Sequence, residues 1–495
     1  MEPGKKRSNQ IMKRVFLCLL ASLLVFAGTA CSGSNEAETD AVVQDTATVE
    51  EAEVAETSRA DMKDDLPEDL NFDGTEINLI IRPEFAKYDA TGENGGDVVY
   101  DAVYQRNLTV EERLNVKLNY IMAEEHFDAM AKQVSNSVIA GMDEYDIVQQ
   151  RAIQTFQQSL EGLFMNMSQA PHINMEKPWW WMDIVNDTAI NNEKIYFLTG
   201  DMSISTFLLS TVCFVNKQML ADFGHDIDEL YTLVEDGEWT WERFQEYCSG
   251  VYTDTNGDGT ADEDDTYAFS YLGYGAAWFN YSSGLKFISR DADGFPVMAI
   301  NNENTIQLLE TISHIWYDNN NGFAITSGDY PAMVKKFTDG KNLFCMGRFM
   351  HTDLLRDFED PYGVIPYPKL DVQYDYMSGT GASGNFLSIP VTSADYEAAC
   401  AVLEAASAEN YRKVFPAFYE TALKIKYVSD NRDAQMIDIV HDSIYVDFMY
   451  ISGLNNVVDG LLSSKNLNFA SEYAKQETAM QTKLDEFIEK YNHLS

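Results

Sequence analysis

Basic residues are scarce in this chain: 35 Lys and Arg stand against 79 Asp and Glu, a net charge of -44. Nucleic-acid binding rests on Lys and Arg neutralising phosphates, so a surface this acidic excludes a nucleic-acid partner. The same field disfavours polyanions at long range, although a local arginine can reverse it inside a cleft. Cysteine is equally sparse. Cys213, Cys248, Cys345 and Cys400 lie far apart with no Cys-x-x-Cys pair, which argues against a disulfide framework or a zinc site and for buried free thiols. The seven histidines are scattered without a metal-binding pair at helical spacing, and no Gly-x-Ser-x-Gly elbow is present. Acidic side chains are so abundant that a carboxylate pair of the glycosidase kind carries no information here. No internal repeat is found. The longest apolar run, Val15 to Ala30, has 16 residues, whereas a membrane-crossing helix needs about 20.

That run is informative for another reason. Lys5, Lys6, Arg7, Lys13 and Arg14 precede it and Gly28-Thr29-Ala30-Cys31 ends it, the pattern of a cleaved bacterial export signal over residues 1–30 that terminates in a cysteine. Cleavage before Cys31 exposes a thiol for lipidation, and more than one acyl chain anchors a protein firmly to a bilayer. Gly28 stands where such boxes usually carry Leu. Either Met1 or Met12 suits as the start of this leader. The expected location is extracytoplasmic, on the outer face of the cell membrane, held through the lipid alone.

Residues 31–72 are rich in Glu, Asp, Ala, Thr and Val and read as an acidic disordered tether. The body beyond is too large for one core and should divide into at least two lobes. It opens with a strand at Ile77 to Ile81, a helix N-capped by Asp97, a second strand from Val116 to Ile121, a helix near 129–139 and a strand at Tyr145 to Val148. Strand and helix alternating in this way predict a parallel α/β sheet. Ligands sit beyond the C-terminal ends of such strands, which points to Arg82, Glu84, Gln149, Gln150 and Arg151.

Three motifs follow. Trp179-Trp180-Trp181 groups three of the seven indoles, and an aromatic surface of this kind suits the C–H faces of sugar rings. Asp254, Asn256, Asp258, Thr260, Asp262 and Asp265 occupy positions 1, 3, 5, 7, 9 and 12 of a Ca²⁺-loop pattern with Gly259 at 6, which predicts a structural calcium site, weakened by Asp at position 12. Gly379-Thr-Gly381-Ala-Ser-Gly384 has dinucleotide-type glycine spacing, but the strand-like Asn385 to Ile389 follows it where that fingerprint needs a helix. It reads instead as a loop lining a cleft.

Several stretches together resemble the extracellular solute-binding proteins of ATP-driven (ABC) importers, family 1, the maltose-binding-protein-like carbohydrate type. They are the lipid-box Cys31, NGGDVVYDAVYQRNLTVEERLNV at 94–116, GEWTWERFQEYCSGVYTDTNGDGTADEDDTYAF at 237–269, GKNLFCMGRF at 340–349, YGVIPYPK at 362–369 and FPAFYETALKIKY at 415–427. The resemblance implies a type II periplasmic-binding-protein-like α/β fold whose two lobes close on a ligand by hinge motion. Crossovers are expected at Thr211 to Leu220 and Tyr362 to Pro368, giving lobe one as 73–210 plus 367–415 and lobe two as 211–366 plus 416–495. It further implies a monomer that captures a sugar or oligosaccharide between the lobes and hands it to permease subunits, without catalysis. The expected cleft residues are Arg82, Glu84, Arg151, Trp179, Trp180, Trp181, Asp201, Trp278, Tyr281, Arg348 and Asn385. The stretch YLGYGAAWFNYSSG around Trp278 is not expected to be a regular helix, and Trp239, Trp241 and Trp316 are expected in the core. The alternatives are a lipid-anchored polysaccharide-degrading enzyme and a surface glycan adhesin.

Overall fold

The computed structural model describes residues 58–494 except 125, 274, 326–327, 420–430 and 455–456. The export signal, Cys31 and the first part of the acidic segment lie outside the described residues. The described residues all belong to one compact unit.

Two sheets carry the architecture. The first is built from β1 (Thr75–Ile81), β2 (Val116–Met122) and β3 (Ile147–Arg151), with β1 parallel to both of the others. Asp97 starts the helix between β1 and β2 by accepting the N–H groups of Val99 and Tyr100 at 3.0 and 3.1 Å. Asn115, in the left-handed region at φ 48°, ends that helix and turns the chain directly into β2. The second helix, Phe127–Ile139, buries Met130, Val134 and Val138 at three- and four-residue spacing.

The second sheet has the order β10-β4-β9-β5-β8, from β4 (Thr211–Asn216), β5 (Tyr267–Leu272), β8 (Gly322–Ile325), β9 (Asn342–Arg348) and β10 (Tyr362–Ile365). A short antiparallel pair, β6 (Ile288–Arg290) with β7 (Pro296–Met298), interrupts the sequence between β5 and β8. β5 runs parallel to β8 and β9, whereas β4 is antiparallel to its neighbours β9 and β10. β4, β5 and β9 are buried along their whole length, in keeping with their largely apolar sequences: both faces are covered.

After β10 the chain forms β11 (Ser378–Gly379) and then β12 (Asn385–Ser388), which adds antiparallel to β3 and completes the first sheet as β12-β3-β1-β2. The strands therefore pass from the first sheet to the second once, after β3, and return once, after β10. β13 (Ile444–Tyr445) pairs with β11.

The C-terminal segment, assigned from sequence to lobe two, meets both bodies. Helix Asn431–Asp442 sits on the second: buried Asp433 accepts from Lys217 Nζ at 2.7 Å and from the Tyr231 hydroxyl. The final helix, Phe469–His493, packs on the first, with Phe487 edge-on to Phe156 and the Tyr491 hydroxyl donating to the Asn191 carbonyl at 3.0 Å.

The acidic tether expected to reach residue 72 is bound to the body from Arg59 onward, because its charges find partners there. Asp64 receives a two-pronged pair from Arg113 at 2.7 Å, Asp65 pairs with Lys177 at 2.7 Å, and Leu66 is buried. The stretch around Trp278 also differs from expectation. Gly275 ends a turn from β5, and Ala276–Tyr281 forms a short helix with Trp278, Phe279 and Tyr281 buried. Trp239, Trp241 and Trp316 are core residues, and the four described cysteines are buried and unpaired.

Candidate functional site

Three arginines mark the place where strand ends of the two sheets meet. Arg82 follows the last residue of β1, Arg151 closes β3, and Arg348 closes β9 in the second sheet. Each projects from a parallel strand's C-terminal end, where the backbone turns outward and side chains are free to face a ligand.

Arg82 is fully engaged. Its Nε and Nη2 donate to Glu84 Oε1 at 2.9 and 2.6 Å, and its Nη1 donates to the Ser383 carbonyl at 3.0 Å and to Asn385 Oδ1 at 2.7 Å. Behind it lies a buried network centred on Asp89. That carboxylate accepts from the Ser205 N–H at 2.9 Å, the Ser205 hydroxyl, Asn385 Nδ2 at 3.0 Å and Gln149 Nε2 at 3.3 Å. Burial pushes the Asp89 carboxyl up to about 6, against the pull of these donors and of Arg82.

Arg151 and Arg348 are differently placed. Arg151 lies over the Phe127 ring, 4.1 Å from its centre, and the single hydrogen bond of its side chain among the described residues runs from Nη2 to the Ser383 hydroxyl at 3.3 Å. Arg348 stacks over the Trp278 indole at 4.6 Å. Neither forms an ion pair among the described residues, and the buried Nε of each has no hydrogen-bond partner there. Burial, with Arg82 and Arg348 adding their charges, holds Arg151 down to about 10.

Neutral donors and acceptors surround the pair. His351 Nδ1 accepts the backbone N–H of Arg348 at 3.1 Å, which assigns the ring proton to Nε2, itself buried and without a hydrogen-bond partner among the described residues. Burial and then Arg348 depress this imidazole to about 3, so it stays neutral. The Tyr281 hydroxyl is also buried beside Arg348, and burial raises it to about 12. The loop Gly379 to Gly384 ties the two halves together, since Ser383 contacts Arg82 and Arg151 while Gly379 and Gly381 pack on the Tyr281 ring. A Cβ at Gly379 would fall 2.1 Å from Tyr281 Cδ2, so these glycines serve close packing against the aromatic ring.

The structure thus gathers Arg82, Glu84, Arg151, Trp278, Tyr281, Arg348 and Asn385 in one region. It places the indole triplet and Asp201 elsewhere. Trp179 and Trp180 are buried, and Trp180 Nε1 donates to Glu404 Oε2 at 2.9 Å. Trp181 Nε1 donates to Asp201 Oδ1 at 2.8 Å, while Arg59 pairs with Asp201 Oδ2 at 2.7 Å. These four residues hold the tether end and helix Tyr396–Glu409 to the body; no hydrogen bond or ring contact joins them to the arginines among the described residues. Asp89, Ser205, Ser383 and His351 were missed from sequence, where no motif distinguishes them.

The loop of Asp254 to Asp265 has its side chains turned onto its own backbone. Asp254 accepts from Gly257 and Gly259 N–H at 2.7 and 2.9 Å, Asn256 from Asp258 at 3.0 Å, and Asp258 from Thr260 at 2.7 Å. Asp265 accepts from Thr255 N–H at 3.0 Å and from the Tyr252 hydroxyl at 2.9 Å, and Asp262 Oδ1 from Asp264 N–H at 2.8 Å. Among the described residues no three His, Cys, Asp or Glu side chains converge as a metal-binding group.

No protein-family pattern matches this sequence, and no curated protein matches it. Solved structures do. UgpB from Mycobacterium tuberculosis, in complex with glycerophosphocholine, superposes with a TM-score of 0.54 at 13% identity over 84% of this chain and all of its own. The ABC transporter associated binding protein from B. animalis subsp. lactis, with beta-1,6-galactobiose, gives 0.53 at 12% identity over 84% of this chain and 98% of its own. The GacH receptor of Streptomyces glaucescens gives 0.52 at 12% identity, covering 85% and 100%. At these identities the likeness establishes the fold: α/β, in the two-lobe periplasmic-binding-protein-like arrangement. No helix among the described residues is long and apolar enough to cross a membrane.

Proposed function

We propose that this chain is the solute-binding component of an ATP-driven importer, a receptor that captures a small hydroxylated solute of the sugar or oligosaccharide class between its lobes and delivers it to permease subunits without transforming it. The observation that carries this reading is the meeting of Arg82 and Arg151 from one sheet with Arg348 from the other, around buried Trp278 and Tyr281. Polar groups that orient hydroxyls beside rings that cover apolar faces are the makings of a saccharide cleft. The fold supports the same reading, since neighbours that share it are described in complex with glycerophosphocholine and beta-1,6-galactobiose. The leader and Cys31 support export and lipid anchoring at the outer face of the membrane, and the receptor acts as a monomer. We also propose that the Asp254 to Asp265 loop takes calcium in a structural role; its oxygen spacing supports this.

Small-angle scattering on the purified protein tests the capture mechanism. A solute from a glycan panel should bind reversibly and reduce the radius of gyration at saturation as the lobes close. Binding without compaction would remove the hinge, and release of a chemical product would replace the receptor by an enzyme.

A further inference from the structure

In a protein carrying a net charge of -44, the guanidinium groups of Arg151 and Arg348 have no carboxylate partner among the described residues, and the buried Nε of each has no hydrogen-bond partner there, whereas Arg106 and Arg290, also without a carboxylate, donate to carbonyl oxygens. The arrangement of Arg151 and Arg348 is costly. Guanidinium groups taken out of water ordinarily recruit an acidic partner, and this sequence offers 79 of them. Arg82 shows the ordinary outcome in its pair with Glu84. Arg151 and Arg348 do not, although Asp128 lies near enough to Arg151 to act on its charge. Asp128 instead accepts from Gln154 Nε2 at 3.2 Å.

The remaining wall has the same polarity of function. His351 Nε2, the Tyr281 hydroxyl and the Thr380 hydroxyl are buried with no hydrogen-bond partner among the described residues. With Nδ1 accepting from Arg348 N–H, the imidazole can offer only a donor at Nε2. Both hydroxyls can donate as well. Two guanidinium Nε–H groups, one imidazole N–H and two hydroxyls make a set of donors with no anionic acceptor among them.

We propose that this set receives an anionic oxygen group, phosphate or carboxylate, carried by the captured solute, so that the receptor's ligand is a phosphorylated or acidic saccharide or polyol and not a neutral sugar. The inference rests on the solute-binding reading above. Arg348 from the second sheet and Arg151 from the first hold the anion from opposite sides, Arg82 fixes the loop at Ser383, and Trp278 and Tyr281 meet the carbon skeleton. Forked donors suit either oxyanion.

Calorimetry with the purified protein tests it, using matched ligands: glucose 6-phosphate, glucuronate, inorganic phosphate, and the neutral sugars glucose, maltotetraose and galactobiose. At least one anionic sugar should bind about 10- to 100-fold tighter than glucose, and 0.5 M NaCl should narrow the gap by screening. Preference for glucose 6-phosphate, with binding of inorganic phosphate, identifies phosphate; preference for glucuronate identifies carboxylate. Arg348→Gln and Arg151→Gln should each weaken the anionic sugar more than the neutral one, so that the gap between them closes. Equal or tighter binding of neutral sugars, insensitive to salt, overturns the anion site and leaves the receptor standing. Binding of neither class overturns both. The comparison in the unmodified protein and its salt dependence decide the matter even if a variant does not fold.

Discussion

Asn385 Nδ2 donates to the carboxylate of Asp89 at 3.0 Å although the two residues are 296 positions apart in the chain. Through that contact the strand that returns from the second sheet is locked to the short helix Ala86–Asp89 after β1, and the oxygen of the same amide accepts from Arg82. Asp89→Ala should therefore leave Asn385 and two Ser205 donors unpaired in a buried site. The expected loss is about 2–4 kcal/mol of unfolding free energy, read by urea denaturation. A loss below about 0.5 kcal/mol, the range of ordinary surface substitutions, would show that the network is not holding the site.

Stability should fall as pH rises from about 4 to 8. Burial raises Glu404 to about 7 and Asp89, Asp447 and Asp459 each to about 6. Between the usual carboxylate range and these values the folded chain holds protons that the unfolded chain releases, so their favourable contribution is complete below about 4 and lost on passing 6 to 7. Asp64 works the other way. Burial alone would raise it, but Arg113 and Arg412 hold it low, and its contribution disappears on acidification below its ordinary range. Melting curves should peak between pH 4 and 6 and drop by several degrees by pH 8. A maximum at pH 8 would contradict the buried carboxylates.

Trp179→Ala and Trp180→Ala should each lose about 3–5 kcal/mol of stability, with affinity of the remaining folded protein for its solute unchanged. Thermal melts and calorimetry on the same samples separate the two effects. Wild-type stability with weakened binding would return these indoles to the cleft.

Calcium at about 10 mM should raise the melting temperature by about 1–4 °C, and Asp258→Ala should abolish the rise. An unchanged melt in the unmodified protein would remove the ion from the loop.

Much of the fold was legible in the sequence because local signals agree there. The strand at Ile77 to Ile81, the Asp97 cap, Val116 to Ile121 and the Asn385 strand all appear within a few residues of where periodicity and turn chemistry put them. Arg82 and Arg151 were placed at strand ends for the same reason, since a parallel strand's end is defined by its own sequence, whereas Arg348 was named only among the cleft residues that the family resemblance implies. The indole triplet was misleading. Three adjacent aromatics suggest exposure, but Glu404, 224 positions beyond Trp180, supplies a buried acceptor that no local pattern announces. Asp89 was invisible on the same ground: its partners come from residues 149, 205 and 385. The short helix at Ala276–Tyr281 formed against its glycine-rich flank because its aromatic side chains are buried, tertiary packing overriding local propensity.

Tyr281 and the glycine at 379 are also linked in inheritance. With ring carbon and would-be methyl only 2.1 Å apart, neither position can drift by itself: a side chain at 379 demands a smaller residue at 281, and a smaller residue at 281 opens room that 379 can then fill. Across descendants of this chain the two sites should change as a pair or remain as they are, and a lineage that has altered both will have reshaped the wall beside Arg348 in a single step.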